Sequence, residues 1–159
     1  MNKKIFSVIF FIIVLNTVNP IWGQYKYLLN YYFNKIDSFK YTDYSKMYSY
    51  AKNAYQISEV TKDTFYMGRA AKELGAYYIF RGKQDSALYY SDLAFKLSKH
   101  VRDSLNLSRV ANNLGIIYQN LANYDSAYKY FSFSYNINVA MNNDAELLTD
   151  FNNLGMLFY

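Results

Sequence analysis

The sequence contains no cysteine, one histidine and one proline among its 159 residues. Without cysteine the chain forms no disulfide, no thiolate metal site and no thiol nucleophile, and it offers no site for lipoprotein-type lipidation. A single histidine excludes multi-histidine metal sites and argues against a Ser-His-Asp triad. One proline and six glycines argue against a turn-dense β fold and favour long helices. We therefore expect an all-α protein that is not an enzyme and needs no metal or cofactor.

What is abundant is apolar and aromatic. The hydrophobic fraction of 52% excludes a disordered chain. The net charge of +5, of which Lys3 and Lys4 supply two, is too mild to indicate nucleic-acid binding. The 20 tyrosines raise the alternative of carbohydrate stacking, although filling helix interfaces is their favoured role. No phosphate-binding glycine loop, zinc-protease, nucleophile-elbow or EF-hand motif occurs.

Residues 1–23 predict a signal peptide. Lys3 and Lys4 form a basic start, Ile5–Leu15 is an apolar run, and a short polar stretch follows. The apolar run is shorter than the roughly 20 residues that span a bilayer. We expect cleavage after Gly23 and a periplasmic or other extracytoplasmic location. An uncleaved segment anchored in the inner membrane is the alternative.

A 40-residue repeat runs through the rest of the chain. The pair Leu-Gly occurs at 74–75, 114–115 and 154–155, and Asp-Ser-Ala occurs at 85–87 and 125–127. When 63–99 is aligned with 103–139, ten of 37 positions are identical and no gap is needed. Regular self-similarity of this kind is typical of stacked structural repeats.

Each repeat predicts two antiparallel helices. Units at 63–102 and 103–142 are complete, 24–62 is a degenerate helix pair, and 143–159 is the first helix of an incomplete unit. Gly75 and Gly115 fall inside the first helices, where glycine is costly. We interpret them as points of close approach by the second helix, with Ala87 and Ala127 facing them.

The pattern Leu-Gly-x-x-Tyr followed by spaced alanines resembles tetratricopeptide repeats. The 40-residue period with Asn-Asn-Leu-Gly is similar to the kinesin-light-chain-like branch. Ser91 and Ser134 depart from the family pattern, and no proline closes a unit. The resemblance implies a right-handed α-solenoid of antiparallel helix pairs. Its matching repeat positions are Leu74, Gly75, Tyr78, Ala87, Ala94, Leu114, Gly115, Tyr118, Ala127, Phe131, Leu154 and Gly155.

In tetratricopeptide arrays the first helices line a concave groove that binds a protein or peptide. The resemblance therefore implies groove positions for five polar residues, which are Arg69, Lys72, Arg109, Asn112 and Asn152. Cations there would meet a carboxylate, and amides would meet a peptide backbone. Solvated polar residues without a ligand are the alternative. His100, Asp85 and Asp125 lie near predicted helix ends, where their charges suit the helix dipole.

The leading functional hypothesis is a non-catalytic, exported scaffold that binds a protein or peptide. Because the sequence stops within a predicted first helix, we expect it to be the sensory or interaction part of a longer signalling protein. It resembles the exported N-terminal part of tetratricopeptide sensor proteins of Bacteroidota. The alternatives are a stand-alone periplasmic assembly or adaptor factor and, less favoured, a carbohydrate-binding module.

Overall fold

The computed structural model describes residues 23–158, so the predicted signal peptide lies outside the described residues except for its last position. This part of the chain is all α-helical and contains seven helices and no strand. The helices are α1 (23–39), α2 (Tyr44–Thr61), α3 (Thr64–Phe80), α4 (Gln84–Val101), α5 (Ser104–Asn120), α6 (Tyr124–Ala140) and α7 (Asp144–Met156). None of the described helices is long and apolar enough to cross a bilayer.

The helix ends repeat with the same 40-residue period as the sequence. Asp63, Asp103 and Asn143 each precede a first helix, and each side chain accepts a hydrogen bond from the backbone amide three residues later. Such N-caps satisfy amide groups that have no partner within the helix. The chain also adopts a positive φ at Gly82 and at Ala122, its counterpart in the next unit. The turns are therefore set by the same local chemistry in successive units.

Consecutive helices pack against each other along the whole described chain. The strongest pairings join α3 to α4 and α5 to α6, and the first helices α3, α5 and α7 also contact one another in series. Two apolar clusters fill the interior, one around α1–α3 and one around α3–α5. This arrangement is consistent with a helical repeat.

The predicted repeat positions of the two complete units lie at these helix interfaces. Leu74, Leu114, Ala87, Ala94, Ala127 and Phe131 are all buried, as are Gly75 and Gly115. Tyr78 stacks on Tyr90 at 5.6 Å between ring centroids, and Tyr118 stacks on Tyr130 at 5.5 Å. In α7, Leu154 is partly buried and Gly155 is exposed.

The glycines do permit close approach, but their partners differ from the prediction. A Cβ at Gly75 would meet Ser91 Oγ at 2.5 Å, and a Cβ at Gly115 would overlap the ring of Phe131. Ala87 and Ala127 are buried one helical turn away from these contacts. The antiparallel register thus brings the next residue along the inner stripe, and not the predicted alanine, against each glycine.

Candidate functional site

A groove of about 480 Å³ runs along the first helices of successive pairs. Its walls come from α3, α5 and α7, and the turn after α1 together with α2 closes one end. The lining residues are Lys40, Tyr41, Tyr44, Met47, Lys72, Glu73, Ala76, Arg109, Asn112, Asn113, Ile116, Ala145, Glu146, Thr149 and Asn153. The groove therefore combines charged groups, amides and a few apolar side chains.

Two ion pairs join acidic and basic side chains of the groove lining. Lys72 Nζ lies 2.7 Å from Glu73 Oε1, and both side chains are largely buried. Arg109 Nε donates to Glu146 Oε1 at 2.7 Å, and a terminal guanidinium nitrogen lies 2.7 Å from the same oxygen, so that this ion pair ties α5 to α7. Arg109 keeps 40% of its side chain exposed. It is the guanidinium in this groove that can still meet a ligand.

Lys40 adds a third cation at the end of the groove. Its ammonium donates to Asp37 Oδ1 at 3.3 Å. Burial lowers the pKa of Lys40, but the hydrogen bond and the charge of Asp37 outweigh it, so that this pKa lies above its ordinary value. Lys40 is therefore charged at neutral pH.

A network of side-chain amides forms the floor of the groove. Asn112 Nδ2 donates to Asp150 Oδ1 at 2.8 Å, and Asn138 Nδ2 donates to Asp150 Oδ2 at 2.7 Å. Asp150 is fully buried, so these two amides replace the water that a carboxylate would otherwise bind. The network joins α5, α6 and α7 and fixes the wall that α7 contributes.

The second asparagine of each Asn-Asn pair links successive first helices. Asn113 Nδ2 donates to the backbone oxygen of Lys72 at 3.4 Å, and Asn153 Nδ2 donates to Asn112 Oδ1 at 3.2 Å. In both bonds the partners are 41 residues apart. The same two repeat positions are thus linked twice, from α5 to a backbone oxygen of α3 and from α7 to a side-chain oxygen of α5.

Three of the five predicted site residues reach the groove, namely Lys72, Arg109 and Asn112. Arg69 does not line it, because its guanidinium lies over the rings of Phe33, at 4.6 Å, and Phe65, at 5.6 Å. Asn152 is exposed and does not line it either. Its neighbour Asn153 takes that place.

Sequence reasoning missed the acidic partners Glu73 and Glu146 and the buried Asp150. Asp150 had a detectable signal, because the same position of the repeat holds Ala70 and Val110, both fully buried. A carboxylate at a repeat position that is otherwise apolar and buried predicts either that the helix face is exposed or that the carboxylate has buried polar partners. Within residues 23–158, no group of three or more acidic or histidine side chains is placed to hold a metal ion.

Comparison with known proteins does not assign this chain to a family. None of the protein-family models matches the chain. No curated protein matches it at a significant level.

Proposed function

We propose that this chain is a non-catalytic scaffold of the tetratricopeptide type that binds an extended peptide segment of another protein in its concave groove. The observation that supports this most is the groove along α3, α5 and α7, where an asparagine at the same repeat position links each first helix to the one before it. Amide groups that recur along the groove can form hydrogen bonds with a peptide backbone, since peptide groups offer donors and acceptors at regular intervals.

The charges of the groove favour an acidic segment. Its lining holds three cations, Lys40, Lys72 and Arg109, against two carboxylates, Glu73 and Glu146, and Lys40 is paired with Asp37 outside the lining. Lys72 forms a largely buried ion pair with Glu73, whereas Arg109 remains partly exposed beside Glu146. A ligand carboxylate would bind to the outer edge of the Arg109 guanidinium, which has more donors than Glu146 occupies.

We further propose that the scaffold acts outside the cytoplasm as the sensing or interaction part of a signalling protein. The basic start and the apolar run within residues 1–23 support export. Fractionation of cells that express a C-terminally tagged chain tests this, with replacement of the apolar run by polar residues as the control. Tagged protein that stays in the cytoplasm in both cases would contradict export.

The two repeat-related arginines provide a matched test of the groove. Arg109→Gln removes the exposed guanidinium, whereas Arg69→Gln removes its counterpart one unit earlier, outside the groove. We expect the wild-type chain and the Arg69 variant to bind acidic members of an array of unstructured peptides equally. The Arg109 variant should bind them about tenfold more weakly, equivalent to roughly 1.4 kcal/mol.

Circular dichroism and thermal melting of both variants establish that each is folded. Equal binding by all three proteins, or an equal loss in both variants, would remove the groove from the proposal. Selection of basic peptides would contradict the charge argument but leave groove binding in place.

A further inference from the structure

The charges that line the groove are ordered along its length. Lys40 lies at the end that α2 and the turn after α1 close, and Glu146 lies on α7 at the opposite end. Between them α3 contributes Lys72 and Glu73, which neutralise each other as a largely buried ion pair, and α5 contributes Arg109. The groove therefore has a positive end and a negative end, with a partly exposed guanidinium on the helix between them.

Glu146 offers a second carboxylate oxygen to the groove. Both contacts from Arg109, 2.7 Å from Nε and 2.7 Å from a terminal nitrogen, reach Oε1. Among residues 23–158 no donor bonds Oε2 of Glu146, and this oxygen is not one of the buried side-chain atoms that lack a partner. It therefore remains accessible, and a carboxylate accepts hydrogen bonds on both of its oxygens. A cation of a ligand can bind Oε2 without breaking the pair with Arg109.

A purely acidic ligand meets a cost at this ion pair. A ligand carboxylate on Arg109 would lie on the side of the guanidinium away from Glu146. Two carboxylates then share one guanidinium, and they repel each other because both are negative. A ligand cation on Glu146 Oε2 offsets this repulsion and completes a row of four alternating charges, which are ligand carboxylate, Arg109, Glu146 and ligand cation.

Lys40 can receive a ligand carboxylate at the positive end of the groove, although it is paired with Asp37. Their charged atoms lie 3.3 Å apart, and Asp37 keeps 60% of its side chain exposed and does not line the groove. An exposed ion pair of this kind contributes little, since water and salt screen it. A ligand carboxylate within the groove can therefore compete for the ammonium.

We propose that the groove selects a segment whose charges are segregated, with acidic residues towards Lys40 and Arg109 and a basic residue on Glu146 at the α7 end. This inference rests on the proposed peptide-binding function and adds the order of charges that the peptide carries. The same order fixes how the peptide lies in the groove. Turned end for end, it would bring its basic residue to Lys40 and its acidic residues to Glu146, and like charges would meet at both ends.

Three synthetic peptides of about twelve residues, roughly 40 Å long when extended, test the charge order. Each carries three glutamates among serine and glycine, and its termini are blocked. The first peptide has the glutamates in one half and a lysine at the far end. The second has the lysine between the glutamates, and the third has glutamine in place of the terminal lysine. We expect the chain to bind the first peptide about fivefold more tightly than the other two, measured by isothermal titration calorimetry.

Glu146→Gln is the matched variant of the protein, because glutamine keeps an oxygen for Arg109 and removes the charge. The first and third peptides should bind this variant equally, since the attraction for lysine and the repulsion of glutamate are both lost. Glu59→Gln, on an exposed residue of α2 outside the groove, should retain the fivefold preference. Circular dichroism and thermal melting establish that both variants are folded.

A nitroxide label on a single introduced cysteine reports the orientation, because the chain has no cysteine of its own. Leu148→Cys places the label on α7, and Ser38→Cys places it near the end of α1, both at exposed positions. We expect the label on α7 to broaden the NMR signals of the lysine end of the first peptide. The label on α1 should broaden those of its glutamate half.

The outcomes separate this inference from the proposed function. Equal binding of the first and third peptides, a preference that survives Glu146→Gln, or the opposite pattern of broadening would each overturn the charge order while leaving peptide binding in place. If none of the three peptides binds, the proposed function is itself contradicted, and the charge order with it.

Discussion

The two halves of the described chain fill the same repeat with different chemistry. Between α2 and α3 the rings of Tyr48 and Tyr77 stack at 4.2 Å between centroids, where the next unit has Leu88 and Ile117; the stack of Tyr78 on Tyr90 recurs in both halves. Between α5 and α7 the interior holds a buried polar network, in which Asn112 and Asn138 donate to Asp150 at the repeat position that Ala70 fills in the first half. Yet the helices begin at matching positions 40 residues apart.

The difference between the two interiors indicates which features the fold depends on. Caps and turns recur in both halves, so they fix the helices, whereas the interior only has to be filled. An aromatic interior stabilises the fold in proportion to its buried area, so the free energy of unfolding falls gradually when a ring is replaced by a smaller side chain. In a buried polar network each group that loses its partner costs free energy, and within the described residues Asn138 Oδ1 already has no partner. We therefore expect the two halves to respond very differently to the loss of one polar atom.

Asp150→Ala should have the largest effect. It leaves Asn112 Nδ2 buried without an acceptor and Asn138 Nδ2 with Ser134 Oγ alone, and we expect a loss of about 3 kcal/mol in the free energy of unfolding. Tyr78→Phe, which removes one hydroxyl from the aromatic half, should cost less than about 1 kcal/mol. Urea unfolding of both variants measures the contrast. Similar losses would show that the two interiors do not differ in this way.

The three repeat-related glycines give a graded series of intermediate effects. Gly115→Ala forces the fully buried ring of Phe131 to move and should destabilise the chain by about 2 kcal/mol. Gly75→Ala meets a serine hydroxyl that can rotate, and should cost less. Gly155→Ala meets nothing and should stabilise α7 by up to about 1 kcal/mol, because alanine favours helix over glycine.

Thermal melting of dilute protein measures this series. Truncation of Phe131 to Leu in the Gly115→Ala background should recover part of the loss, because it removes the obstructing ring. Three equal gains in stability would show that the substitutions act through helix propensity alone and that packing against the glycines does not matter.

The smallest effect concerns alkaline pH and belongs to the aromatic half. A hydrogen bond between the hydroxyls of Tyr78 and Tyr48, together with burial, raises the pKa of Tyr78 to about 12. In the unfolded chain this phenol ionises near its ordinary pKa of about 10. Between these values the folded state binds more protons, so the free energy of unfolding should fall as the pH rises from about 10 to about 12.

Ultraviolet titration of tyrosinate and unfolding at several pH values test this prediction. Tyr48→Phe removes the hydrogen bond and should move the pKa of Tyr78 back towards its ordinary value. An unchanged titration curve in that variant would assign the shift to burial alone.

Sequence periodicity predicted the helices well and their mutual orientation less well. It began the two complete units at 63 and 103, and the structure has the N-caps Asp63 and Asp103 there, because caps are local signals. It did not predict that Gly115 faces Phe131, because the rotation of one helix against the next depends on all side chains between them. The same limit explains why Arg69, whose repeat position matches that of Arg109, lies on aromatic rings outside the groove.

The asparagine links between first helices have a consequence for specificity. Packed helices lie about 8–10 Å apart, and an extended peptide advances about 3.3 Å per residue. Asn113 and Asn153 tie each first helix to the one before it at the same repeat positions. A peptide bound across the first helices as proposed would reach a new helix at about every third residue. We therefore expect its recognition residues to recur with a three-residue spacing.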